Sequence, residues 1–468
     1  MSRPYRIGFW LACALFSALI VAAACGDLWL DEIWSLRFAR SANRAADIFL
    51  CFRHDNNHPL NTLFLYGLRN GRSFLVFRFF SVLSGIGSLL LMGHLARRAW
   101  GRREALFAVV LAGLSFPLLL YFSEARGYAP AIFFALLSFA ALRANLENFR
   151  VWRMLLFWAA SAAGILSHLT FAIAETSLLV LHLAHAIRAK GPVFRRLLAF
   201  LLHQAPPALF LAGWQAVFAR HLTIGGGPVY AKMDVVTQAA MLALGFPDAP
   251  FFRWLALAAA LAIIGLGTAR LLRQGDLLGI FFPCVLLTAS FAFFAVSRPV
   301  YLYFRYFLVC LPFFYLLLAF VIGRLWNSGR RRDRILLAGA VALMLAGQIP
   351  RIAALIKLGR GGYSRALAYF SEKSPESVIA VGSDHDFRNG MLIEFYAPLA
   401  AKDKTIRYVP NGQWDRTPPD WLITHSQELT ANPSPEIYSS RIGRYRFVEE
   451  FRSAGISGWN WFLYRREQ

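Results

Sequence analysis

Apolar runs close to 20 residues long recur along this 468-residue chain. A run of that length crosses the hydrocarbon core of a bilayer as an α-helix, which satisfies every backbone N–H and C=O within the segment. Eleven runs can be read, near 7–25, 74–94, 105–121, 128–142, 154–168, 171–187, 197–217, 251–269, 277–296, 306–323 and 335–356. They are continuous rather than alternating, which argues against a transmembrane β-barrel. With 57% hydrophobic and only 16% charged residues, a soluble globular protein is not a competing class. The expectation is an all-α polytopic membrane protein of about 11 transmembrane helices. The first run follows Arg3 and Arg6 and ends Ala22-Ala23-Ala24-Cys25, the outline of a secretory signal. Its length and the spans behind it favour a retained first helix.

The net charge of +23 does not point to nucleic acid, because the basic residues form short clusters between spans. Arg97, Arg98, Arg102 and Arg103 follow the second span; Arg143, Arg150 and Arg153 the fourth. Arg188, Lys190, Arg195 and Arg196 follow the sixth, Arg270 and Arg273 the eighth, and Arg324 with Arg330, Arg331, Arg332 and Arg334 the tenth. An excess of Lys and Arg marks the cytoplasmic side, and the clusters also attract anionic lipid headgroups. With the N-terminus inside, all of them are cytoplasmic. The opposite face then holds the loop 26–73, residues 123–128, the turn 167–170, the loop 218–250, residues 297–306 and the C-terminal segment. In a bacterium this is a multi-pass protein of the inner (plasma) membrane with that face periplasmic.

The chain divides into a membrane domain, 1–356, and a small extramembrane α/β domain, 357–468. In the latter, strand-like runs at 378–381, 405–409, 421–424 and 459–464 alternate with helical ones at 363–370 and 387–399. In the first loop Asp31 is placed to cap a helix through about Arg40. Pro59 is placed to open a second helix that Asn70-Gly71 closes, which sets His58 at a helix N-terminus favourable to an anion. Of five cysteines, Cys13, Cys284 and Cys310 lie in apolar runs, and spacing does not settle whether Cys25 and Cys51 pair.

The polar residues suited to chemistry gather on the non-cytoplasmic face. Asp31-Glu32 follows the first span and can act as a base and its partner, or as an acidic helix start. His54 and His58 can orient a phosphate, a sugar hydroxyl or a metal, or be surface histidines of a polar loop. Glu124 and Arg126 can pair with each other, or Arg126 can hold a phosphate bidentately beside Tyr128. Arg78 lies just inside the second span, where arginine faces protein or snorkels. Arg298, Arg305 and Tyr306 precede the tenth span as phosphate ligands or interfacial anchors. His168 tips a tight hairpin between spans. Glu175 is an intramembrane acid with no partner apparent from sequence.

The order of Asp31-Glu32, His58-Pro59-Leu60, Arg78-Phe79-Phe80-Ser81, Gly101-Arg102-Arg103, Ser123-Glu124-Ala125-Arg126-Gly127-Tyr128 and Phe304-Arg305-Tyr306 with Pro312 resembles the GT-C superfamily of membrane glycosyltransferases. It is most similar to the glycosyltransferase family 39-like branch of the protein O-mannosyltransferases and the lipid A aminoarabinose transferase. Leu60 stands where that family more often has a second proline. The resemblance implies transfer of a sugar from a polyprenyl-phosphate carrier to a lipid, glycan or protein acceptor on the non-cytoplasmic face. It implies Asp31 as general base, Glu32 as its partner, and Arg78, Arg126, Tyr128, Arg305 and Tyr306 around the donor phosphate. His54, His58, Glu124 and His168 would line the substrate pocket. Direct attack by one activated hydroxyl implies inversion. No cofactor is certain, and a role for a divalent metal (Mg, Mn or Zn) stays open. A transporter or flippase of lipid-linked saccharides and a non-catalytic membrane assembly protein are the competing readings; the former calls for broken helices at mid-membrane.

Overall fold

A computed structural model describes residues 3–400 and 403–467. Eight helices are long and apolar enough to span a bilayer, and the chain is a multi-pass, mostly helical membrane protein. A ninth span is counted if the bent pair Arg102–Gly113 and Phe116–Phe122 is one span. The remaining two of the eleven expected runs form the shorter apolar helices Val151–Ser167 and Leu311–Asn327. By contacts the chain forms two compact units. The first comprises 1–22, 38–71 and 76–350; the second comprises 23–37, 72–75 and 351–468. Two short segments assigned from sequence to the membrane domain therefore pack with the C-terminal one.

Within the first unit, small residues let helices approach. A methyl on Gly93 would lie 2.6 Å from the Phe9 ring, and one on Gly113 2.1 Å from Phe16. The helix Arg3–Ala23 thus seats its aromatic side chains in notches on its neighbours, the packing mode of membrane helices. The bent pair turns by 69°. Its cause is local: Pro117 near the start of the second piece has no N–H to continue the ladder. The groups freed by the break are satisfied from within the unit. Ser115 Oγ accepts from the Leu118 N–H at 3.3 Å, and Gln348 Oε1 accepts from the Phe116 N–H at 3.0 Å. Tyr315 donates to Ser115 Oγ and lies 2.8 Å from the Ala243 carbonyl. Gln348 also donates to the Leu242 carbonyl, fastening the end of the helix Lys232–Leu244. That helix lies in what the sequence presented as a loop.

The basic ends of the helices tie to one another. Arg98 pairs with Glu147, Arg103 donates to Asn327 Oδ1 at 2.7 Å, and Arg188 to the Gly275 carbonyl at 3.0 Å.

The second unit holds a six-stranded mixed sheet: β1 (Val378–Ser383), β2 (Thr405–Tyr408), β3 (Trp421–Ser426), β4 (Glu436–Ser439), β5 (Gly443–Phe451) and β6 (Asn460–Arg466). Its order is β2-β1-β3-β6-β5-β4. The first three strands are parallel, and β6, β5 and β4 continue antiparallel. β4 and β5 were not expected; β5 mixes charged and apolar residues and is only partly buried, so its pairing with β6 decides it. The segment 23–37 is anchored by specific bonds. Asp27 accepts from the Ser364 N–H and hydroxyl at 2.7 and 2.8 Å, capping the helix Tyr363–Lys373 from a distance. Arg360 donates to the Ala23 carbonyl and Tyr396 to the Leu28 carbonyl. No disulfide forms among the described residues.

Candidate functional site

In the first unit, separate segments meet at the ends of helices. Pro59 takes the first helical position of Pro59–Gly67, so His58 is the N-cap residue, as its place before a proline implies. The turn 123–127 leads into Tyr128–Glu147. His168 caps the C-terminal end of Val151–Ser167. A short 3₁₀ turn, Phe304–Phe307, presents Arg305 and Tyr306.

Arg126 is the hub. One guanidinium nitrogen lies 2.7 Å from Asn56 Oδ1 and 3.2 Å from His58 Nε2. A guanidinium only donates, so His58 Nε2 must accept and its proton sits on Nδ1. The Arg126 guanidinium lies 5.1 Å from the Tyr128 ring centroid, a cation–π contact that gains strength with desolvation. The His168 ring stacks on His58 at 4.9 Å and lies 4.4 Å from Tyr128. Tyr306 reaches His168 at 6.4 Å, and Arg305 sits 4.5 Å from the Tyr303 ring. The backbone of the turn is held as well. Ser81 donates to the Arg126 carbonyl and Asn61 to the Ala125 carbonyl. Arg78 stands one helical turn before Ser81 and is fully buried. Glu124 is also fully buried.

Asp55 joins a further segment to this group. Its carboxylate contacts His54 at 2.9 Å and accepts from the Gly225 N–H at 3.1 Å, while His54 forms a β-bridge with Thr223. Burial alone would raise the Asp55 pKa. The hydrogen bonds from His54 and Gly225 and the charges of His54 and Arg126 outweigh it and hold the carboxyl below its usual range. Burial, then the positive charge of Arg126, lowers His58 well below the usual histidine value and takes His168 to about 3.

Both imidazoles are therefore neutral at physiological pH. Their imidazole NMR signals are expected not to titrate between pH 8 and 5. The sign for stability follows from linkage: the unfolded chain takes up these protons near 6.5 and the folded chain does not. The stability they contribute is present above 6.5 and is lost as pH falls below it, in the case of His168 down toward about 3. A thermal midpoint that stays constant over that fall would contradict the assignment.

Gly127 explains the tightness of the turn. A methyl there would lie 1.9 Å from the Ser167 carbonyl oxygen and 2.8 Å from His58 Cβ. Its φ of −75° suits any residue, so the demand is purely steric. Gly127→Ala should destabilise by about 1–3 kcal/mol or more, the cost of overpacking, and separate His58 from His168. A thermal melt within error of wild type would refute this.

Asp31 and Glu32 belong to the second unit. Asp31 was expected to be the helix cap. Instead the helix starts at Leu30, and Trp29 is the cap residue, its carbonyl accepting from Ile33. Glu32 reaches back to the Trp29 N–H at 3.1 Å, the acidic half of a capping box. The adjacent acids therefore differ in environment: Glu32 is fully buried and Asp31 only partly. Arg298 is exposed and bonds the Ala295 carbonyl, outside the cluster. Among the described residues no group of three or more His, Cys, Asp or Glu side chains is arranged to hold a metal ion.

Asn56, Asp55, Ser81 and Tyr303 were not singled out from sequence as site residues. Asn56 and Asp55 lay in a visibly polar run, 54–58, Ser81 closes the element Arg78-Phe79-Phe80-Ser81, and Tyr303 stands two residues before Arg305.

No protein-family model and no curated protein matches the chain. Among solved structures, it matches the crystal structure of ArnT from Cupriavidus metallidurans bound to undecaprenyl phosphate. The TM-score is 0.52 at 14% identity over 99% of this chain and 98% of that one. The apo form of the same protein gives 0.52 at 14% identity over 98% of each. A weaker likeness is to the Archaeoglobus fulgidus oligosaccharyltransferase in its apo form, at 0.49 and 13% identity over 85% of this chain and 64% of that one.

Proposed function

We propose that this membrane protein, whose fold is that of the GT-C glycosyltransferases, moves a sugar from a polyprenyl-phosphate-linked donor to a hydroxyl of a lipid, glycan or protein acceptor. The observation that carries the reading is the meeting of Arg126 and Arg305 with neutral imidazoles and tyrosines at one set of helix ends. A departing lipid phosphate needs fixed cations at the membrane edge. Neutral His58 and His168 add no competing charge and position the guanidinium, and Tyr128 and Tyr306 supply hydroxyl donors. Arg78 adds a third cation. In the reaction the C1–O bond to phosphate breaks as the acceptor oxygen bonds C1 from the opposite face. The acceptor proton passes to Asp31 and the electron pair leaves on the phosphate, so the product is inverted. Asp31 takes this role from the sequence resemblance. The cluster then faces the periplasm of a bacterial inner membrane, with the N-terminus cytoplasmic. ArnT bound to undecaprenyl phosphate supports the carrier class.

The test is transfer by protein reconstituted in liposomes with radiolabelled polyprenyl-phosphate hexoses and pentoses. Envelope extract from a deletion strain supplies the acceptor. Label should move to extract components, and the product anomer should be inverted. No transfer from any donor above the level of an Arg126→Ala control would overturn the reading.

A further inference from the structure

The parallel part of the sheet in the second unit has the order β2-β1-β3. From β1 the chain passes through the helix Asp386–Ala400 to β2 on one side, then returns to β3 on the other. The strand order thus reverses at β1. In open α/β sheets, a crevice opens beyond the carboxyl ends of the strands at such a point, and ligands bind there.

The carboxyl ends of β1 and β3 carry a built cluster. Asp384 Oδ1 lies 2.7 Å from His425 Nδ1, and Asp384 Oδ2 accepts from the His425 N–H at 2.9 Å. His425 Nε2 lies 3.2 Å from an Arg388 nitrogen. Arginine only donates, so Nε2 accepts and Nδ1–H is given to Asp384. The Arg388 guanidinium lies 5.3 Å from the Trp459 ring centroid, and the His385 ring stands edge-on to His425 at 5.8 Å. Buried Asn389 bonds Ser383 and Asp384 and receives the Trp461 N–H, locking the floor. Phe387, between Asp386 and Arg388 in the sequence, is 50% exposed, with Trp34 edge-on at 5.2 Å.

We propose that this cluster at the carboxyl ends of β1 and β3 is a saccharide-binding subsite for the acceptor. The proposal rests on the glycosyl-transfer reading for the acceptor role, though not for binding itself. The charge balance selects the ligand class. Asp384 offsets Arg388 through the shared imidazole, and Asp386, bonded to Tyr408 and Asn411, adds negative charge. A phosphate gains little from such a field. A neutral polyol uses donors, acceptors and an apolar face together. Arg388 and His385 offer the first, Asp384 the second, and Phe387 the third.

Full-length protein in nanodiscs, applied to an array of neutral glycans, tests this. At least one glycan should bind, and Arg388→Ala and His385→Ala should each weaken it at least about tenfold, the loss expected for one hydrogen bond from a strong donor. His385→Gln, whose amide still donates, should retain most of the binding, which separates ligand contact from folding. Arg126→Ala protein, silent in transfer, should bind as wild type does, so failure of the enzyme reading and failure of the subsite give different results. No bound glycan, binding indifferent to Arg388→Ala and His385→Ala, or displacement by inorganic phosphate would each overturn the proposal.

Discussion

Arg126→Ala is expected to lower turnover by about 10²–10³-fold or more, the range for removing one preorganised donor from a developing anion. The residue is 3% exposed and meets both Asn56 and His58. Its loss therefore acts twice. On the proposed reaction the departing phosphate loses a cation, and buried Asn56 and His58 each lose a hydrogen bond, at about 1–3 kcal/mol apiece. A stability measurement must accompany the assay, and two further variants separate the effects. Arg126→Lys keeps the charge without the planar fork, so it should insert normally and still lose most activity. Asn56→Ala removes one acceptor and leaves the guanidinium, so it should cost less turnover than either. Near-normal transfer by folded Arg126→Ala would remove the cluster from the chemistry.

The second large effect is expected at Asp31. Asp31→Asn should reduce turnover by about 10²–10⁴-fold, the range for a general base, while the protein still inserts. Glu32→Ala should behave differently. Its carboxylate holds the Trp29 N–H at the start of the helix Leu30–Ser41, and losing a cap costs about 1 kcal/mol. That variant should melt earlier and keep a greater share of its turnover. Equal destabilisation by both substitutions would make the pair a helix start and nothing more. Full activity in Asp31→Asn would dismiss it as base even if Arg126 proves essential.

These contrasts show where local pattern was informative. Pro59 announced the helix that begins there, and the strand-like runs at 378–381, 405–409, 421–424 and 459–464 each became a strand. In both cases the information is short-range: a fixed φ without an N–H, or a β-branched and aromatic run. Asp31 as the cap failed for a complementary reason. Cap identity turns on which carbonyl closes the first turn, and two neighbouring acids with a tryptophan before them leave that open until the chain is packed. β5 escaped because its charged residues hide the alternation that pairing with β6 exposes.

By itself the sequence determined the class of the protein and where its long apolar helices run, though two of the runs it offered as spans form shorter helices. Each span satisfies its own backbone, so length and apolarity suffice, and the basic clusters mark one set of helix ends. Only the tertiary structure decided how residues far apart share a site. Arg126 and Asn56 are 70 positions apart, and their meeting depends on the 69° bend, on Gly127 passing the Ser167 carbonyl, and on Ser81 and Asn61 holding the turn. It also decided that residues 23–37 pack with the sheet unit, through Asp27, Leu28 and Ala23. Such contacts arise from long-range packing of side chains on backbone groups, which no local period or composition encodes.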